Sequence, residues 1–359
     1  MTHSSLFSLF AISILCGVVG LFPWIYFGFF SQNFYPGLFH REVMFLGFGS
    51  SLVPLIWFYE SGIPSWAHRL LLLIFLAILG ALGFRITWLL SLGVISLIGF
   101  VLALRLRARD QKIDSLFFVD VALVGYWMVC AYCFVEGVWQ SWTAIPPQIG
   151  TLCQTFFWAI LLRSSPIVRE AMGRSRKNYH WPEALAMGFL IISSLAELWG
   201  IGPYSLWLRC LGGLLLLVFG WDLLRLPDVK NGMTLSCWFG AWLIALGGLT
   251  VGLFPNYTVH LVHFVLVGGA SLALYALVLM KLGLGHRKKL GWWFLVNIGL
   301  ACVTRATAFF LDGSFIRHLG YAALLWILMM SYIWFTGTPL RKAFGAHFRG
   351  GFFRGDSKV

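Results

Sequence analysis

Residues 259–286, VHLVHFVLVGGASLALYALVLMKLGLGH, carry His260 and His263 at one end of a long apolar run and Lys281 and His286 at the other. Roughly twenty helical residues, each rising ~1.5 Å, cross the hydrocarbon core of a bilayer. The run from Phe264 to Met280 is apolar or small throughout, so the stretch reads as a transmembrane helix with histidines at its lips. His260 and His263 share one helical face, as residues three apart do. An ionisable side chain at membrane depth is costly unless it faces a cavity, a partner or a cofactor. The pair is therefore a candidate site, against the plainer alternative of two imidazoles resting among the headgroups. Gly268, Gly269, Ala270 and Ser271 lie just below and remove side-chain bulk, which admits either a neighbouring helix or a flat macrocycle.

The rest of the chain has the same character. Its 359 residues are 60% hydrophobic and 11% charged, with mean hydropathy +0.84, a composition foreign to a water-soluble globule. The expected fold class is all-α: a polytopic membrane protein of about twelve spans. These fall at 6–26, 43–59, 68–84, 87–104, 115–138, 147–162, 182–199, 204–224, 233–254, 259–284, 291–311 and 315–335. Residues 1–340 then form a single transmembrane domain and 341–359 a basic cytoplasmic tail. The first run lacks a basic flank and a cleavage site, so it reads as an uncleaved first helix.

The net charge of +13 comes from short loops. Arg105, Arg107, Arg109 and Lys112 follow span four; Arg163, Arg169, Arg174, Arg176 and Lys177 follow span six; Arg225 and Lys230 follow span eight; Arg287, Lys288 and Lys289 follow span ten. The opposite gaps TAIPPQIG and FPNYTV carry no Lys or Arg. By the positive-inside rule both termini are cytoplasmic, and the basic residues set orientation rather than bind nucleic acid. The seven cysteines all fall inside apolar runs, where free thiols pack as small hydrophobes and imply no disulfide framework. Cys130 and Cys133 share a helical face and form a minor candidate for a soft metal.

Alternating direction sorts the polar residues by depth. Spans two and ten both start on the outer side, which brings His40 and Glu42 level with His260 and His263. Glu136, Glu197, Arg305 and Asp312 join that outer half, and Arg305 and Glu197 can pair as a structural ion pair. The inner half is marked by Lys281 and His286, with Arg163 and Asp120. His40 stands above Gly47, Gly49, Ser50 and Ser51, so span two repeats the arrangement of span ten. Two helix-borne histidines at one depth suit axial ligation of a haem iron, and imidazole also suits copper. No phosphate-cradle, zincin or nucleophile-elbow motif occurs.

The segment HFVLVGGASLALYALVLMKLGLGHRKKL resembles the most recognisable stretch of the NnrS family of membrane proteins. His263, Val267, Gly268, Gly285 and His286 match it, and Lys281 stands where the family usually has Arg. FHREVMFLGF resembles the family's W-H-x-H-E-M-x-F-G-F through His40, Met44, Gly47 and Phe48, with Glu42 in place of its second histidine and Val43 in place of its Glu. LLRSSPIV, with Arg163 and Pro166, resembles its R-x-x-P-F step. The resemblance implies bound haem, with copper a lesser expectation, and a part in nitric oxide and nitrosative-stress handling in the bacterial inner membrane, with an unknown electron donor. It places haem ligands at His40 and His263, with His286 at the inner end as the other matching histidine. His260, by its shared face, is a candidate ligand for copper or a second haem with Glu42 and Glu136 as oxygen partners. Arg305 is expected to pair with a haem propionate or with Glu197. Haem-copper oxidase subunits offer a fold-level analogy only, for spans six and seven here hold no intramembrane histidine. The alternative function is a secondary transporter with an outer-half polar substrate site; a third is a subunit that only holds a partner in the membrane.

Overall fold

Between its turns the described part of the chain is helical, and the helices run on through Pro23, Pro54 and Pro166. The computed structural model describes residues 3–30, 37–59, 61, 63–108, 115–139, 147–174, 180–227, 230–254, 258–285, 287–308 and 315–337. Among these there are twelve helical segments and no strands. They are α1 (His3–Phe29), α2 (37–57), α3 (Ser65–Phe84), α4 (Thr87–Ala108), α5 (Ser115–Trp139), α6 (Pro147–Ala171), α7 (Trp181–Leu198), α8 (202–220), α9 (Gly232–Leu253), α10 (258–281), α11 (Lys288–Thr307) and α12 (Phe315–Gly337). His286, Asp312 and the basic tail lie outside the described residues.

Local chemistry fixes several of the ends. Asn231 caps α9, its side-chain oxygen accepting from the backbone N–H of Met233 at 3.0 Å and of Thr234 at 3.4 Å, which satisfies amides that have no partner inside the helix. Gly283 stops α10 at φ +75°, a left-handed turn that glycine enters without steric cost. Arg85 closes α3 at φ 56° despite carrying a side chain.

Seven of the helices are long and apolar enough to cross a membrane, and the chain is a multi-pass helical membrane protein. Their burial divides rim from interior. The α10 window is 67% buried, against 33% for those of α3, α4 and α5, whose remaining apolar surface faces outward as lipid-facing helices do. The interior is made by α2, α6 and α10: α2 packs on α6 and α6 on α10, while Phe48 meets the ring of Tyr275 and the Tyr59 hydroxyl donates to the Leu277 carbonyl. Around them α1 lies between α12 and α2, and α9 packs on α8, α10 and α11.

The small residues beneath the two histidine mouths are occupied by protein. A Cβ on Gly268 would sit 2.6 Å from Cys302 Sγ of α11, one on Gly269 2.4 Å from Ile244 of α9, and one on Gly240 2.5 Å from the Ala273 backbone nitrogen. On α2, Gly47 abuts Cys16 of α1 and Gly49 abuts Phe156 and Phe157 of α6. Of the two occupants that the sequence leaves open, neighbouring helices take these patches.

Both mouths then pass into π-helical turns. In α2 the stretch Val43–Gly49 is π-helical, and in α10 the stretch Phe264–Tyr275, which begins immediately after His263. Such wide turns disrupt the regular backbone ladder. Two hydroxyls below the α2 stretch help satisfy its carbonyls, Ser50 donating to Phe45 at 3.1 Å and Ser51 to Phe48 at 2.6 Å.

Candidate functional site

The first polar centre forms where α1, α2, α10 and α11 share an end. Gly20 has no side chain, and a Cβ there would lie 2.9 Å from Met44 Sδ, so α2 comes close enough for His40 to reach the α1 backbone. The His40 Nδ1–H donates to the Gly20 carbonyl at 2.8 Å, and Trp24 sets its ring edge-on against the imidazole at 5.5 Å. A carbonyl can only accept, so this bond fixes the tautomer of the neutral ring and leaves Nε2 as its lone-pair nitrogen. Metal-ligating imidazoles are commonly oriented in this way.

Arg305, near the end of α11, donates through Nη1 to His260 Nδ1 at 3.2 Å, and its charge also acts on His40. Because His260 Nδ1 accepts, the neutral ring carries its proton on Nε2. Phe315 lies edge-on to His260 at 6.0 Å. His263 is half-buried on α10 one residue above the π-helical stretch. Glu42 turns away from this group and takes both carboxylate contacts from Arg85, at 3.0 and 2.8 Å. Among the described residues no three His, Cys, Asp or Glu side chains group as metal ligands.

A test of the donor set separates two cofactors. His40, anchored through Nδ1 and acted on by the Arg305 charge, fits a residue that would ligate haem iron. His260 and Glu42 are each engaged by an arginine, and such positive surroundings do not suit a copper ion. Cys130 finds its thiol neighbour in Cys153 of α6, a contact that sequence spacing does not reveal.

Glu197 pairs elsewhere than expected. One carboxylate oxygen accepts from Arg209 of α8 in a short ion pair and the other from Thr151 at 2.5 Å; of the partners expected for Arg305, Glu197 is thus committed to Arg209. Arg209 also donates through Nε to Ser193 at 3.0 Å and more weakly through Nη1 to Gln154 at 3.5 Å. Thr155 and Ser194 share a hydrogen bond of 2.7 Å beside them. This second centre, between α6, α7 and α8, is visible in the sequence only through Glu197; the signal passed over is a lone arginine inside the apolar run SLWLRCLGGLL, an intramembrane cation that must find a partner.

The opposite ends carry a third group. Asp120 accepts from Arg163 Nε at 2.8 Å, Arg105 Nη2 at 3.1 Å and Trp57 Nε1 at 2.8 Å, and Lys281 lies 5.4 Å from the centre of the Tyr59 ring. Between the layers, Tyr275 shares a 2.7 Å hydrogen bond with Ser13, and Trp326 donates to Ser271 at 3.0 Å. His40, His260 and Arg305 thus gather at one end, and Asp120 with its arginines at the other.

Fold and site together define a multi-pass helical membrane protein with an imidazole–arginine centre at one end of its bundle. Neither any protein-family model nor any curated protein matches the chain.

Proposed function

We propose that the chain is a bacterial inner-membrane haem protein of NnrS type, crossing the bilayer twelve times with both termini cytoplasmic, that acts in nitric oxide and nitrosative-stress handling. The observation that carries this reading is the anchored imidazole of His40, whose Nδ1 is committed to the Gly20 carbonyl while Arg305 stands near. His40 and His263, on two interior helices, are the residues that would hold the haem iron. When bound, the haem supplies the iron at which nitric oxide binds. The chain's own part is to hold the His40 ring in one orientation beside Trp24, and to set Arg305 on His260, which Phe315 meets edge-on. Copper, the lesser expectation of the resemblance, finds less support at His260 and Glu42.

The absorption spectrum of the purified protein tests the reading. We expect a Soret band that His40→Ala and His263→Ala each abolish or shift, and that His260→Ala spares. Haem content unchanged in both His40→Ala and His263→Ala would refute the assignment. A second reading, secondary transport, is favoured by one observation: the ion pair between the buried Arg209 and the part-exposed Glu197 at the second centre, since transporters bind substrates at polar groups inside the membrane. Absence of any Soret band, together with substrate uptake that Arg209→Leu abolishes, would favour it over the first.

A further inference from the structure

α11 runs between α10 and α12 and packs on both, and each of those neighbours is long and apolar enough to cross the membrane. Midway along its 20 residues stands Asn297. Trp293, Val296, Leu300 and Val303 are exposed around it and form the outward face of the helix. The half-buried carboxamide therefore borders a lipid-facing surface. A polar side chain at that depth is costly unless it finds a partner.

The hydrogen bonds of Asn297 are half made. Its Nδ2 donates to the Trp293 carbonyl at 2.8 Å, but a carboxamide has two N–H donors and an oxygen acceptor. Among the described residues nothing else pairs with the second N–H or with Oδ1. Exposed hydroxyls of the bundle differ, since Thr250 and Thr307 commit their single O–H to carbonyls of their own helices at 2.7 Å.

Symmetry decides what can cover the amide. Two copies of one chain inserted in the same direction are related by a two-fold axis along the membrane normal, and an axis of that kind sets each residue opposite itself at equal depth. Asn297 then meets Asn297. The carboxamide is self-complementary, so the free N–H of each copy donates to Oδ1 of the other. A foreign helix would have to bring its own donor and acceptor to the bilayer centre, where polar side chains are rare. The spacing agrees: Trp293, Asn297, Leu300 and Thr304 recur four, three and four residues apart. Parallel helices interlock at that spacing, and an asparagine at one such position fixes their register and number.

We infer that α11 docks on α11 of a second copy through this stripe, with Asn297 paired to Asn297 across a two-fold axis. The inference rests on the membrane-spanning course of α11 and on none of the haem, nitric oxide or transport readings.

The experiment reconstitutes the full-length chain, dye-labelled at its C-terminus, in liposomes over a range of protein-to-lipid ratios and counts copies by single-molecule photobleaching. Pairs are expected, and Asn297→Leu should weaken pairing about tenfold, as loss of interhelical polar bonds does in a bilayer, with helical content and melting temperature unchanged. Asn297→Gln keeps the amide and should retain pairing. In intact membranes under ultraviolet light, p-benzoylphenylalanine in place of Leu300 should crosslink the chain to itself, and in place of Trp88, exposed on α4, should not. Single copies at every ratio, pairing unaffected in a folded Asn297→Leu protein, or adducts from position 300 only to other proteins would overturn the assignment. Should Asn297→Leu fail to fold, the crosslink from position 300 still decides.

Discussion

Asp120 sets one carboxylate against two guanidiniums, Arg105 and Arg163, with all three side chains about a fifth exposed or less. Removing its charge leaves two cations facing each other in a poorly hydrated place, and breaking such a pair costs about 3–5 kcal/mol. Asp120→Leu should therefore lower the melting temperature and expression sharply, and Arg163→Leu in the same chain should restore part of both, as read by fluorescence-detected size exclusion. The second prediction concerns Gly20. Gly20→Val drives a side chain into Met44 and moves His40 from its carbonyl, and loss of such a ligand-orienting contact weakens metal or cofactor retention by ~10–100-fold. Haem retained to the wild-type level in Gly20→Val would show that the His40 anchor has no part in binding. At this scale the sequence informs depth: it sets Arg163 level with Asp120, and His40 level with His260 and Arg305. Partner choice was not legible, because alternation of direction gives height along the membrane normal and leaves the angle around it open. Glu42 thus found Arg85, and Glu197 found Arg209, without either being predicted.

Helix packing depends on glycines that bring backbones into near contact. Gly240 of α9 lies against the Ala273 nitrogen and Gly269 oxygen of α10, and a Cβ there would fall 2.5 and 2.9 Å from them. Backbone cannot turn aside as a flexible side chain can, so Gly240→Ala must separate the two helices, an overpacking that costs typically ~1–3 kcal/mol. Gly99, with nothing within 4 Å of its Cβ position, is the control: Gly99→Ala should be neutral or slightly stabilising in the same thermal assay. The existence of each helix was legible because apolar runs and breakers mark it plainly. Its faces were less so. A reading at the α-helical period puts His263 and the residues a turn or two below it on one stripe, yet the π-helical run Phe264–Tyr275 shifts every later side chain around the axis. No sequence feature within LVGGASLALY announces that change of period.

For the molecule as a whole, orientation is the quantity to measure. Reporter fusions after Lys112, after Lys177 and at Val359 should read cytoplasmic, and one near Pro146 periplasmic; a periplasmic signal at Lys177 would overturn the proposed topology. The helix ends support a simple alternation, since His40, His260 and Arg305 gather at one end of the bundle and Asp120, Arg105 and Arg163 at the other. The Asp120 cluster has a further consequence. Two guanidiniums against one carboxylate leave one positive charge that no neighbour in the cluster cancels, fixed near the end proposed to face the cytoplasm. A resting membrane is negative inside, and one elementary charge carried across it changes energy by about 2.3 kcal/mol per 100 mV. In the proposed topology an energised membrane therefore favours the inserted orientation through Arg105 and Arg163, and the same cluster makes insertion sensitive to voltage: collapse of the potential during synthesis should raise the inverted fraction less in Arg163→Gln, where that surplus charge is gone, than in the unchanged chain.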